Sequence, residues 1–100
     1  MTCLTGLRDD LMTTQEVILT WLTDERKRQD DKWGAQRHLD DNLWTTILGE
    51  EYGEICRAIL EKDWENLKEE LVQTAAVCVA ALEDLIQSGR LDEARLPVGS

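Results

Sequence analysis

Apolar residues recur at helical spacing along three segments of the chain, and nowhere alternate with the period of a strand. Val17, Ile18, Trp21 and Leu22 mark the first segment, which opens near Thr13-Thr14 with a threonine as N-cap. Its polar continuation, Asp24 to Asp31, reads as a solvated or site-facing stretch. Gly34 to Asp41 reads as a loop, and Asn42 as the cap of a second helix running through about Glu61. Ile47, Leu48, Tyr52, Ile55, Cys56 and Ile59 give that helix a wide apolar stripe. Lys62-Asp63 leaves room only for a tight reversal, so the third helix returns antiparallel, with Asp63 as its N-cap. It passes through Leu67, Leu71, Val77, Cys78, Leu82, Leu85 and Ile86 and stops at Gly89.

The fold class this predicts is all-α, a single domain over residues 1–100 with its core at about 13–88 and a short tail at 89–100. The third helix carries Ala75, Ala76, Val77, Val79, Ala80 and Ala81 almost all the way round. A helix apolar on every side is buried on every side. Three helices alone do not supply that cover, so the expectation is an antiparallel helical bundle completed by homodimerisation, or a dimer of dimers.

Composition narrows the partners. A formal net charge of -10 argues against nucleic acid, which requires a basic face, and against an anionic membrane surface. A small phosphorylated ligand remains open if metal ions screen the acids. Cys3, Cys56 and Cys78 are odd in number and widely spaced, which fits neither a disulfide framework nor a zinc site. Cys56 and Cys78 fall on apolar helical faces and read as small buried hydrophobes in a reduced cytosol. Met1 to Met12 has no long apolar run and does not read as a signal peptide, no stretch approaches transmembrane length, and the expected location is cytoplasmic.

Against this background the carboxylates stand out. Glu50, Glu51 and Glu54 lie inside the second apolar pattern, and Glu69 and Glu70 inside the third. Burying an ionised carboxylate costs several kcal/mol unless a cation or donor compensates, roughly. At about 100° per residue, Glu51 lies roughly 40° and Glu54 about -20° from Ile47, so the two share one row beside the stripe. Glu70 falls between Thr74, Val77 and Ala81, with Gln73 one turn further on. A tight helical hairpin can bring Glu51, Glu54 and Glu70 together, and hard oxygen ligands in that arrangement suit Mg²⁺ or Mn²⁺. Phosphate is the natural ligand to share such an ion. The competing reading leaves the acids solvated, or absorbed by Arg57 and Lys68 in i,i+3 and i,i+4 pairs. A carboxylate di-iron bundle needs Glu-x-x-His motifs, and the single histidine, His38, lies in a loop.

The acids resemble the motifs of the MazG-like all-α nucleotide pyrophosphohydrolases, E-E-x-x-E on one helix and E-x-x-D on the next. Glu50, Glu51 and Glu54 match the first motif; Glu70 opens the second, and Gln73 stands at its aspartate. Arg28-Gln29-Asp30-Asp31-Lys32-Trp33-Gly34, with His38 and Asn42-Leu43, is similar to the lead-in of relatives of this group, so the resemblance spans about residues 25 to 86. It implies hydrolysis of a nucleoside triphosphate, ribo or deoxy, to the monophosphate and pyrophosphate. It implies Mg²⁺, with Mn²⁺ as substitute, on Glu51, Glu54 and Glu70, with Gln73 keeping an oxygen ligand but one negative charge fewer. Glu50 is implied as the catalytic carboxylate that helps position the attacking water. Trp33 and His38 are the implied base pocket, and Lys32 a contact to phosphate or sugar. The basic C-terminal segment of many relatives is missing, leaving Arg90, Arg95, Arg57 or another subunit for phosphate.

Two alternatives stay open beside this enzyme. One is a non-catalytic nucleotide-binding or regulatory protein whose metal site Gln73 has degraded. The other is a plain helical interaction protein with solvated acids. Both differ from the enzyme in turnover; only the last lacks a metal effect on stability.

Overall fold

A computed structural model describes residues 12–35 and 38–92. They form three α-helices, α1 (Thr14–Trp33), α2 (Asp41–Glu61) and α3 (Trp64–Gln87), and no strand is present among the described residues. No helix among them is long and apolar enough to cross a membrane. Helix α3 is central, packing against both α1 and α2.

The helix ends follow from local chemistry. Thr13 caps α1: its hydroxyl accepts from Glu16 N–H at 3.1 Å, and the Glu16 carboxylate accepts from Thr13 N–H at 2.8 Å. Gly34 ends α1 at φ 91°, a region that costs a side chain energy, and its N–H reaches the Asp30 carbonyl at 2.8 Å. The hairpin between α2 and α3 is made by Lys62 in the left-handed region (φ 57°) followed by Asp63, whose carboxylate caps Asn66 N–H at 3.2 Å. The helix stop at Gly89 is met one step earlier: α3 ends at Gln87 and Gly89 takes φ 83° just beyond it.

The start of α2 corrects the sequence expectation. Asp40, not Asn42, is the cap, accepting from Leu43 N–H at 2.9 Å. Within α2, Trp44 shares the row of Ile47 and Leu48. Trp44 forms the core with Val77 and Ala80, and Leu39, Ile47, Leu48 and Ala81 pack around it.

Burial also departs from expectation. Ala58 and Ala76 are fully enclosed, but Leu71, Ala75, Cys78 and Leu82 on α3 are exposed, so the single chain does not cover α3 all round. Cys56 is half-buried and Cys78 exposed, so neither is the enclosed small hydrophobe expected; Cys3 lies outside the described residues.

Polar side chains stitch α1 to α3. Arg26, largely buried, spans Asp30 on its own helix (2.9 Å) and Glu83 on α3 (2.8 Å). Gln29 is 2% exposed; its amide donates to Glu25 (3.1 Å) and to the Gln73 carbonyl (3.4 Å) and accepts from Arg26 (3.2 Å). A buried amide satisfied on both ends fixes the rotation of α1 against α3.

Candidate metal centre and adjoining cavity

The tight Lys62-Asp63 turn places Glu54 and Glu70 at comparable distances along the two arms of the hairpin, and Glu51 one turn above Glu54. Carboxylate oxygens of Glu51, Glu54 and Glu70 all lie within 4.8 Å of one another. Two oxygens on one ion, each at 2.0–2.6 Å, stand at most about 4–5 Å apart. The cluster is therefore sized to hold a metal ion.

Its electrostatics fit the same conclusion. Glu70 is 8% exposed, and its Oε1 is buried without a hydrogen-bond partner. Desolvation, then the charges of Glu54 and Glu51, push its pKa up to about 7. Glu51 is raised too, first by burial and then by Glu54. Two cations near the cluster are engaged elsewhere. Lys68 sits 4.1 Å over the Trp21 ring, and Arg28 grips Glu25 with two hydrogen bonds of 2.6 and 2.9 Å. No ion pair from Arg57 or Lys68 to these acids is formed among the described residues. An orphaned buried oxygen amid like charges fits a hard divalent cation.

Beside the cluster, between α1, α2 and α3, lies a cavity of about 400 Å³. Trp33, Trp44, Ile47 and Val77 form its apolar wall, Arg28, Gln29 and Gln73 its polar wall, and Glu50 and Glu51 its acidic edge. Glu51 thus belongs to both the cluster and the cavity. Gln73 stands one turn from Glu70 and in the cavity wall, and it also lines a second hollow with Arg28, Trp21 and Lys68.

The remaining sequence candidates divide. Trp33 lines the cavity, half-exposed, with Lys32 Nζ 4.6 Å over its ring. Glu50 is exposed at the cavity edge. His38 is not in the cavity wall: its Nδ1 lies 2.7 Å from Asp84 Oδ1. Arg90 is likewise held by Asp41 (2.9 Å) and Asp84 (3.5 Å), and Arg95 lies outside the described residues.

Sequence reasoning missed Asp84, Trp44 and Gln29. Asp84 is 2% exposed and gathers His38, the Trp44 indole N–H (2.8 Å) and Leu39 N–H (3.4 Å), which hold its carboxyl below the usual range, His38 most of all. The signal existed: residues 70, 73, 77, 80 and 84 share one face of α3, so a carboxylate at 84 continues the buried row. Trp44 was legible from its spacing to Ile47 and Leu48. Gln29 had no such mark, since its burial depends on the crossing of α1 over α3.

Comparison with known proteins found no match: no family model, no curated protein and no solved structure is similar to the chain.

Proposed function

We propose that the protein is a metal-dependent nucleoside triphosphate pyrophosphohydrolase. The observation that carries this reading is the convergence of Glu51, Glu54 and Glu70 at the edge of an aromatic-walled cavity. The motif resemblance along residues 25 to 86 supports it independently.

In this reading the nucleobase and sugar occupy the cavity, with Trp33 and Trp44 offering indole surface to the base. Glu51, Glu54 and Glu70 hold Mg²⁺, or Mn²⁺ in its place, and Gln73 adds a neutral oxygen from the next turn of α3. The bound ion supplies charge neutralisation of the phosphates and a lowered pKa for water. Glu50, at the cavity edge, orients the attacking water and takes its proton as the α–β anhydride P–O bond breaks; monophosphate and pyrophosphate leave. Lys32, beside Trp33, is the candidate contact for phosphate or sugar, whereas His38 is held at Asp84 and is not in the cavity wall.

The second reading, a nucleotide-binding protein without turnover, is favoured by one feature, the uncharged Gln73 at the position of an acid. The exposed apolar side of α3 supports a homodimer, or a dimer of dimers, as the assembled form, and the absence of a membrane-length helix among the described residues accords with a cytoplasmic enzyme of the nucleotide pool.

The deciding experiment is pyrophosphate release from a panel of the common NTPs and dNTPs, with and without Mg²⁺. Metal-dependent release supports the enzyme. No release from any member, with nucleotide still binding, supports the second reading and rejects the first.

A further inference from the structure

Three elements meet at one buried carboxylate. Asp84 stands on α3 with its side chain 1% exposed. It accepts from the Trp44 indole Nε1 of α2 at 2.8 Å and from Leu39 N–H in the connection between α1 and α2 at 3.4 Å. His38 Nδ1 lies 2.7 Å from the other oxygen, Oδ1, and Arg90 reaches Oδ2 at 3.5 Å while gripping Asp41 in the first turn of α2. Asp84 is not in the wall of the 400 Å³ cavity, but Trp44 is.

The bond to Trp44 matters more than its single-bond strength implies. An indole packed only by apolar neighbours can slide or flip in its slot. Its N–H is the one polar handle that fixes the ring plane. A buried carboxylate aimed at that handle gives the ring one orientation, and a buried bond of this kind is expensive to leave unmade. The same carboxylate also holds His38 and Leu39, five and six residues after the second wall tryptophan, Trp33. The Trp44 face of the cavity is therefore referenced to one point on α3, the helix that also supplies Glu70.

We propose that Asp84 is a positioning residue for the nucleobase: by holding the Trp44 ring plane, it sets the aromatic wall against which the base binds. This rests on the cavity being the nucleotide site. It assigns Asp84 to ligand affinity and not to the chemical step, because Asp84 reaches the cavity only through Trp44 and belongs to neither the cavity wall nor the carboxylate cluster.

The test uses the full chain and two conservative variants that cut the same bond from opposite ends. Asp84→Asn removes the charge and weakens the acceptor; Trp44→Phe keeps most of the ring and removes the donor. For the nucleotide that the wild type turns over best, Asp84→Asn is expected to raise KM about tenfold, the size of one lost buried hydrogen bond, with kcat within about twofold. The KM effects of the two variants and their double variant are expected to be non-additive, since each already lacks the shared bond. If Asp84→Asn does not fold, a rise in KM for Trp44→Phe carries the same decision. Unchanged KM in the folded variants, or a fall in kcat alone that tracks lost folded protein, overturns the positioning role and leaves the enzyme reading intact. If the wild type binds nucleotide without turnover, Kd from tryptophan fluorescence replaces KM with the same criteria. If it neither binds nor turns over nucleotide, both the site and the role of Asp84 are overturned together.

Discussion

Glu70 on α3 and Glu51 on α2 bring carboxylate oxygens within 4.8 Å across the hairpin, and one oxygen of Glu70 is buried with no hydrogen-bond partner. Neither acid is ion-paired to a lysine or arginine among the described residues. Two like charges in a half-dry contact are a source of instability. They persist in a stable fold when they serve a ligand.

The first prediction follows directly. Mg²⁺ or Mn²⁺ is expected to raise the melting temperature, by about 2.7 kcal/mol of added stability at a hundred times its Kd. Glu70→Gln is expected to stabilise the metal-free chain while cancelling most of the metal-induced rise. Differential scanning calorimetry with EDTA or with Mn²⁺ reads both. A Mn²⁺-induced rise of equal size in Glu70→Gln excludes Glu70 as a ligand.

The metal-free protein should also carry a pH signature. Glu70 titrates near 7 in the fold against an ordinary value of 4.5, so between these values the folded chain holds more protons than the unfolded one. Stability is then expected to fall as pH rises from about 4.5 to about 7. Asp84 has the opposite sign: its pKa is lowered from 3.8, so its contribution is lost only in more acid solution. Urea unfolding in EDTA at a series of pH values checks this, and Glu70→Gln should flatten the slope.

Much of this arrangement was legible before any coordinates. The helical spacing of Val17 through Leu22, of Ile47 through Ile59 and of Leu67 through Ile86 gave three helices, and the two-residue link at Lys62-Asp63 gave their antiparallel return. The hairpin also brought Glu51, Glu54 and Glu70 together, because its register is fixed by so short a turn. What escaped was whatever depends on how α1 lies across α3. Gln29 is buried only because that crossing covers it, and His38 meets Asp84 only because the connection folds back over α3. The cap at Asp40 escaped for another reason. Asp40 and Asn42 are both good caps locally, and residue preference alone does not choose between them.

Position 73 offers a test by gain. Gln73 lies one turn from Glu70 and lines the cavity, with a neutral amide where the resembling motif has an acid. Gln73→Asp adds a charge and a stronger oxygen ligand, and is expected to tighten Mn²⁺ binding by about three- to tenfold, as about 1 kcal/mol of added attraction would do. Isothermal titration calorimetry measures it. Equal or weaker affinity places residue 73 away from the ion.

The proposed site carboxylates are expected to be separable from the fold. Glu51→Gln and Glu54→Gln each remove a negative charge from a crowded cluster, so both variants are expected to melt at or above the wild-type temperature while losing turnover by at least a hundredfold. Glu50→Gln, changed at the exposed edge, is expected to lose turnover while keeping the Mn²⁺-induced rise in melting temperature. Pyrophosphate release and calorimetry on the same samples distinguish the roles. Full turnover in both Glu51→Gln and Glu54→Gln ends the metal-site assignment.

The last prediction concerns assembly. Ile18 and Leu19 on α1 and Leu71 and Leu82 on α3 are about half exposed, and a groove between α1 and α3 is lined by Ile18, Trp21, Leu22, Leu71, Val72 and Ala75, with Lys68 at its side. So much apolar surface on a small domain is the signature of an interface. In a twofold dimer each residue is used twice, so covering the exposed half of Leu71 in both copies contributes about 1.5–3 kcal/mol by the usual value for a buried leucine. Sedimentation equilibrium at tens of micromolar is expected to return about twice the chain mass of 11.5 kDa, or four times for a dimer of dimers. Leu71→Glu places like charges on both sides of that contact and is expected to shift the protein towards the single-chain mass. A wild type that sediments as a single chain rules the assembly out. A Leu71→Glu variant that remains dimeric moves the interface to another face, since no dimer tolerates a buried pair of unpaired carboxylates at its centre without loss of affinity.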